Sequence, residues 1–236
     1  MKTIFVLGDR NPAFVTHRAV DAVRGLISGV DTRWVGTDTA DAQRTATADG
    51  LWVVPGSPYR DDAAVYAAIQ HARTSGQPLL ATCGGFQYAV VEFARHAAGI
   101  EDAEHAETAP AARQHVVNRL ACSLMGQERM VTAVPGTAVY ALCGSAPFVG
   151  FHWCNYGLSP MYVDRLVDHG MVVSARADDA GVEAVELPDH PFFLATLFQP
   201  QMTALSGGGA HRIIQGFVAA VSGVPSPPCT STRSAV

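Results

Sequence analysis

The chain has 236 residues, 48% of them hydrophobic, and a formal charge of −5 with histidine neutral. That is enough apolar material for one sizeable core, and with no basic block or basic–aromatic stripe, nucleic acid is not an expected partner. No apolar run approaches the roughly 20 residues of a membrane span, and the apolar start "MKTIFVLGD" is too short for a signal peptide, so a cytoplasmic protein without membrane contact is expected.

Strand-like and helix-like runs alternate through the first half. "KTIFVLGD" reads as a buried strand. Residues 13–28 place Phe14, Val15, Ala19, Val23 and Leu26 near one helical face. "TRWVGT" is a short strand, and "GLWVVPGS" is a strand ending in Pro-Gly. Residues 61–75 read as helix, "PLLATC" as strand, and residues 84–98 as a helix with a Gly-rich start. Strands joined by helical crossovers imply a parallel sheet covered on both faces. Ligands then bind beyond the carboxyl ends of the strands, where "VPGS" and "TCGG" converge.

The second half is less regular. "RMVTAVPGTAVYAL" and "GMVVSARADDAGVEAVELPDHPFFLATLFQP" read as strands joined by turns, with a helical stretch at 159–169 between them. "GAHRIIQGFVAAVSG" reads as a closing helix. The expected fold is α/β, with a mostly parallel central sheet, helices on both faces and some antiparallel strands late in the chain. Residues 1–224 are expected to form a single domain, and the polar, Pro-rich residues 225–236 a disordered tail.

Cys83, Cys122, Cys143, Cys154 and Cys229 form no CxxC pair and no zinc spacing. No metal and no cofactor is expected. Cys122 and Cys143 read as buried structural thiols. Cys83 differs: an apolar strand stops at it, two glycines follow, and a helix begins. A helix N-terminus favours a thiolate, and its free N–H groups can hold a developing oxyanion. A buried Cys that merely ends a strand fits the same residues.

Three stretches together resemble the class I glutamine amidotransferase family, in particular the glutaminase domain at the C-terminus of CTP synthase. "DGLWVVPGSPYRD" resembles that family's strand and oxyanion loop. "PLLATCGGFQYAVVEFARHAAGIEDAEHAET" resembles its nucleophile elbow and following acidic segment. "VEAVELPDHPFFLATLFQPQ" resembles its last strands. The resemblance implies a nucleophile at Cys83 and an oxyanion hole at Gly56, Ser57 and Gly84. It implies that Gln87 and Glu107 hold the amino-acid end of a substrate, and that Tyr156 belongs to a substrate loop.

The sequence departs from the family where proton transfer is needed. The catalytic His falls on Gln199 and the catalytic Glu on Gln201. An amide has no proton to trade near neutral pH. The substrate-loop Arg falls on Asn155, and "PGG" has become "PGS". Ordinary glutamine hydrolysis by a Cys–His–Glu triad is therefore not expected.

The rebuilt-site reading makes this a free-standing amidotransferase-like enzyme acting by altered C–N cleavage or acyl transfer on a small amino-acid-like or amide substrate. His152 and Cys154 in "GFHWCNYG" are its candidate replacements: His152 as proton carrier, Cys154 as a second thiol. The same segment also fits Trp153 and Cys154 filling a small cluster with His152 facing water. His105, two residues from Glu107, enters the pocket if both lie on a strand; a solvated loop fits it as well. His17, His71, His96, His115, His169 and His211 are expected on the surface, and His190 in a structural turn. The alternatives are a non-catalytic binding protein of the same fold, and a residual glutaminase supplying ammonia to a partner synthetase. A homodimer is a further possible partner arrangement.

Overall fold

The computed structural model describes residues 1–225; Cys229 and the expected tail beyond Pro225 lie outside the described residues. The first half runs β1 (Lys2–Leu7), α1 (Val15–Arg24), β2 (Val30–Val35), α2 (Ala42–Ala46), β3 (Gly50–Val53), α3 (Asp62–Ser75), β4 (Leu79–Thr82) and α4 (Gly84–His96). The second half runs β5 (Ala103–His105), β6 (Gln114–Arg119), β7 (Gln127–Ala133), α5 (Ala138–Cys143), β8 (Phe148–His152), β9 (Tyr156–Leu158), α6 (Val163–Asp168), β10 (Val172–Ala177), β11 (Gly181–Glu186), β12 (Phe193–Thr196) and α7 (Arg212–Ser222).

Among the described residues, nine strands form one sheet in the order β2-β1-β3-β4-β12-β11-β10-β7-β8. The first five are mutually parallel. From β12 outward each strand runs antiparallel to its neighbour. A smaller sheet, β5-β6-β9, lies apart from it and packs on α4. The α/β class and the antiparallel second half agree with the sequence pattern.

Both faces of the parallel half are buried, and alternation divides its side chains between two clusters. Phe5, Leu7, Leu51, Val53, Leu79 and Ala81 face α3 and α4. Ile4, Val6, Trp52 and Leu80 face α1 and α7, meeting Val20, Val23, Ile214 and Phe217. Period-2 side-chain alternation on a strand with two covered faces gives this division. Each fully buried large side chain contributes roughly 1.5–3 kcal/mol.

One strand expectation is corrected. "TAVYAL" is not a strand but α5, whose N-cap Thr137 accepts from the Tyr140 N–H at 3.3 Å. The Pro135–Gly136 turn ends the strand, and a Thr directly before an apolar run is a helix start signal. The short α2 was not expected from the sequence; Asp41 caps it, accepting from the Arg44 N–H at 2.5 Å. Among the described residues no helix is long and apolar enough to cross a membrane.

The start of α4 is pressed against β3. A Cβ on Gly85 would stand 2.5 Å from the Val53 carbonyl oxygen, and one on Gly84 would stand 3.0 Å from the Ser57 nitrogen. Both positions therefore require glycine for space. Gly85→Ala is expected to lower the unfolding free energy by about 1–3 kcal/mol, the usual cost of overpacking. Urea denaturation of the variant measures it, and an unchanged midpoint would show that α4 slides without penalty.

Candidate active site

Cys83 follows β4 directly. Its N–H continues the parallel ladder by donating to Thr196 O at 2.8 Å. Its backbone then turns to φ 54°, ψ −108°, and among the described residues it is the one non-glycine residue with positive φ. Such a conformation costs of order 1–3 kcal/mol and persists only where the surroundings enforce it. The chain enters α4 at once, so Cys83 is the N-cap of a 13-residue helix. The first-turn N–H groups of a helix have no partner inside it. The close approach of Gly84 to the Ser57 nitrogen brings the two expected oxyanion donors together.

A cavity of about 510 Å³ opens over Cys83. Gly56, Ser57, Cys83, Gln87, Glu107, Cys154, Asn155, Tyr156 and Gln199 all line it. Gly84, His105, His152 and Gln201 stand behind that lining. Phe14, Met125 and Trp153 form its apolar rim, and all three are exposed.

Gln87 is fixed from three sides. Its Oε1 accepts from the Ser57 hydroxyl at 3.2 Å and from His105 Nε2 at 3.0 Å, while its Nε2 donates to Tyr156 O at 2.8 Å. These partners determine the amide orientation, since a flipped amide would face two donors with a donor. His105 is wholly buried, so the solvated-loop alternative is corrected. It does not itself line the cavity. Its Nδ1 accepts from the Glu107 N–H at 3.0 Å, which leaves the proton on Nε2. β5 ends at His105, and Glu107 lies beyond the strand, exposed at the cavity. Burial raises the Glu107 carboxyl above its ordinary value.

His17 is a second correction. It is not on the surface but 1% exposed. Its Nδ1 accepts from the Asn11 N–H at 2.9 Å, so its Nε2–H donates to Pro55 O at 2.7 Å. It thus holds the loop that carries Gly56 and Ser57. His211 is also off the open surface, half-buried as the N-cap of α7. His190 bonds Ala72 O at 2.9 Å and accepts from the Phe192 N–H at 3.2 Å, a structural turn as expected. Cys122 is exposed and Cys143 half-buried, so neither is the buried structural thiol expected.

The two glutamines bond to each other: Gln201 Nε2 donates to Gln199 Oε1 at 2.9 Å. Gln199 Nε2 and Gln201 Oε1 are buried without a partner. Gln199 is 2% exposed and lines the cavity, with its Nε2 buried behind that surface.

His152 neither lines the cavity nor faces water, and both of those expectations are corrected. It is wholly buried, with Nε2 at 2.9 Å from both carboxyl oxygens of the equally buried Glu183. Its Nδ1 has no partner. Cys154 does reach the cavity and lies against Cys83. Hydrogen bonding to Cys83, then burial, then the charges of Cys83 and Glu183 push its thiol well above the ordinary value. Cys83 Sγ also lies 3.7 Å from Trp153 O, the carbonyl of the peptide leading into Cys154.

The order of elements, the elbow after β4 and the loop after β3 bear on ancestry. The family model of Peptidase C26 matches residues 54–201, from that loop to the second glutamine. The chain belongs to the Peptidase C26 family. This C26 chain is 35% identical to the CTP synthase of Aeropyrum pernix over 216 residues, 86% of this chain and 40% of that protein. It is 35% identical to the CTP synthase of Archaeoglobus fulgidus over 191 residues, 75% of this chain and 36% of that protein. It thus spans about two fifths of the length of these curated relatives. Among solved structures, the CTPS glutaminase domain of Trypanosoma brucei with bound acivicin superposes with a TM-score of 0.84 at 24% identity, covering 98% of each chain. A glutamine amido transferase from Methylobacillus flagellatus superposes at 0.57 and 13% identity, covering 94% of this chain and 91% of that one. At those identities the superpositions establish the fold. Family model and relatives together make this a Peptidase C26 domain related to CTP synthase, with the fold of the CTPS glutaminase domain.

His105 gives the C26 domain a measurable pH dependence. Burial, then the nearby His115 charge, lower its pKa from 6.5 to about 4. Between those values the unfolded chain binds the extra proton, so stability falls as pH drops from 6.5 towards 4. At one pKa unit per 1.36 kcal/mol, the loss from pH 7 to pH 4.5 is on the order of 2 kcal/mol. Denaturation of His105→Gln at both pH values is expected to show a difference smaller by that amount. An undiminished difference would place the acid sensitivity elsewhere.

Proposed function

We propose that this protein is a Cys83-dependent acyl-transfer enzyme that cleaves a C–N bond in a small amino-acid-like substrate, with a second thiol doing the proton work of the absent histidine. The observation that carries the reading is that Cys83 and Cys154 line one cavity, with Cys83 Sγ 3.7 Å from the carbonyl oxygen of the peptide leading into Cys154, at a site where the side chains of Gln199 and Gln201 bond to each other. Hydrogen bonding to Cys83 and burial push the Cys154 thiol well above its ordinary value, so Cys154 keeps a proton to give.

Cys83 gives its proton to water, and its sulfur attacks the substrate carbonyl. The developing oxyanion is met by the backbone N–H groups at Ser57 and Gly84. Cys154 S–H gives its proton to the leaving nitrogen, and a thioester remains on Cys83. Water then adds to the thioester, returning a proton to the Cys154 thiolate, and the acid leaves with Cys83 restored. The free Gln199 amide holds substrate or water by hydrogen bonds without exchanging protons. Gln87 and Glu107 supply an amide and a carboxyl group for the amino-acid end of the substrate. The His152–Glu183 pair acts on Cys154 from behind, through the field of the carboxylate.

The test is turnover of L-glutamine and related primary amides, followed as ammonia release. Cys83→Ala is expected to abolish release. Cys154→Ala is expected to lower it about 10²-fold, the scale of a general-acid contribution, while Cys83 still alkylates. Release unaffected by Cys83→Ala would sink the enzyme reading and leave a binding module. The double change Gln199→His with Gln201→Glu is expected to raise glutamine hydrolysis about 10²-fold or more. Equal activity before and after that change would mean that the amide pair is not what separates this site from a glutaminase.

A further inference from the structure

In the acyl transfer proposed above Cys83 is the nucleophile and Cys154 the proton carrier; two neighbouring thiols can also be oxidised together. Each is 6% exposed, each is a free thiol, and each lines the same cavity. The Cys83 sulfur rests 3.7 Å from the carbonyl oxygen of the peptide that joins Trp153 to Cys154. The α-carbon of Cys154 is part of that peptide unit, so the two residues are neighbours through backbone as well as side chain. No histidine is among the residues that line the cavity. Cys122 and Cys143 do not line this cavity, so no other described cysteine competes for Cys83 there.

We propose that Cys83 and Cys154 are a reversible redox pair: a small hydroperoxide entering the cavity is reduced at Cys83, Cys154 closes a disulfide onto it, and a dithiol reductant reopens the bond. Cys83 first gives its proton to water, and its sulfur then forms an S–O bond to the peroxide as the O–O bond breaks. The departing oxygen leaves as alcohol or water, taking the Cys154 proton. The Cys154 thiolate then attacks the Cys83 sulfenic acid. The S–S bond forms, the S–O bond breaks, and hydroxide leaves to become water with the proton Cys83 gave up. Two thiols and one hydroperoxide thus become one disulfide, one alcohol and one water. Two exchange steps with the dithiol restore both thiols.

The cavity favours this class of oxidant. With both cysteines only 6% exposed, a bulky protein disulfide is kept away while a small peroxide has room in about 510 Å³. This reaction is independent of the acyl chemistry proposed above, and its readout is a mass, not a turnover.

The experiment treats the reduced full chain with stoichiometric hydrogen peroxide, alkylates the remaining thiols and maps them by peptide mass spectrometry. The expected result is loss of two hydrogens, a linked Cys83–Cys154 peptide, loss of alkylation at both positions with Cys122 still labelled, and full recovery with dithiothreitol. In Cys154→Ser, Cys83 is expected to stop at a sulfenic acid that a cyclic-dione probe captures. Three results would overturn the proposal: oxidation of Cys122 with Cys83 and Cys154 still alkylated, no oxidation of either, or Cys83 driven to the sulfinic acid in the unaltered protein. Failure of amide turnover would leave this result untouched, and a linked peptide would appear with or without it.

Discussion

The backbone of Cys83 is held in its positive-φ turn by two fixed points, one on each side. Before it, β4 is locked into the sheet centre, and the Cys83 N–H is spent on Thr196 O of β12. After it, α4 starts within contact of the β3 carbonyl and the Ser57 loop, at two glycines that leave no room for a side chain. Neither end can relax without breaking sheet pairing or opening the core. The sulfur is therefore delivered to one place, and the loops that reach it do so because their parent strands are neighbours in the same sheet.

Around that sulfur the polar groups form short chains anchored in backbone. Ser57, Gln87, His105 and the carbonyl of Tyr156 link the β3 loop, α4, the small sheet and the β9 segment through three hydrogen bonds. His17 ties α1 and the Asn11 loop to Pro55 in the same way. Buried polar groups satisfied like this fix orientation, and those left unsatisfied carry a desolvation penalty. Gln199 Nε2, Gln201 Oε1 and His152 Nδ1 are of the second kind. Two of the three belong to the Gln199–Gln201 pair beside the cavity, where neutral amide groups carry the unmet hydrogen-bonding capacity.

Much of the architecture was legible in the sequence because its signals are local. Apolar runs ending in Pro-Gly or Cys-Gly-Gly mark β3 and β4, and Gly84–His96 reads as a helix at once. α5 was misread because Ala138–Cys143 has too few residues for a helical period to assert itself over an alternating one. The site was legible where a residue touches the cavity directly, as with Cys83, Gln87, Glu107, Cys154 and Gln199. It was illegible where a residue acts through a distant partner. Glu183 lies 31 positions from His152, on a strand whose place beside β12 is set by antiparallel pairing. His17 bonds a backbone carbonyl 38 positions away, and a carbonyl leaves no trace in residue type. The Gln199–Gln201 bond was hidden for another reason: whether two amides pair or face a ligand depends on a turn of side chain, not on spacing.

The position of β12 has a consequence for how the molecule comes into being. It is the last strand among the described residues and yet it lies in the interior of the sheet, between β4 and β11. Until residues 193–196 are available, the parallel strands β2, β1, β3 and β4 end in an open edge, and β11 has no inner neighbour. Pairing of such long sequence separation closes large loops and forms slowly. During synthesis the Cys83 elbow is therefore on the ribosome-distal part of a half-sheet whose missing partner is still to be made. The Cys83 N–H has its partner, Thr196 O, only when the closing strand is in place, so a chain that stalls or is cut before residue 193 carries Cys83 without the pairing that fixes its turn.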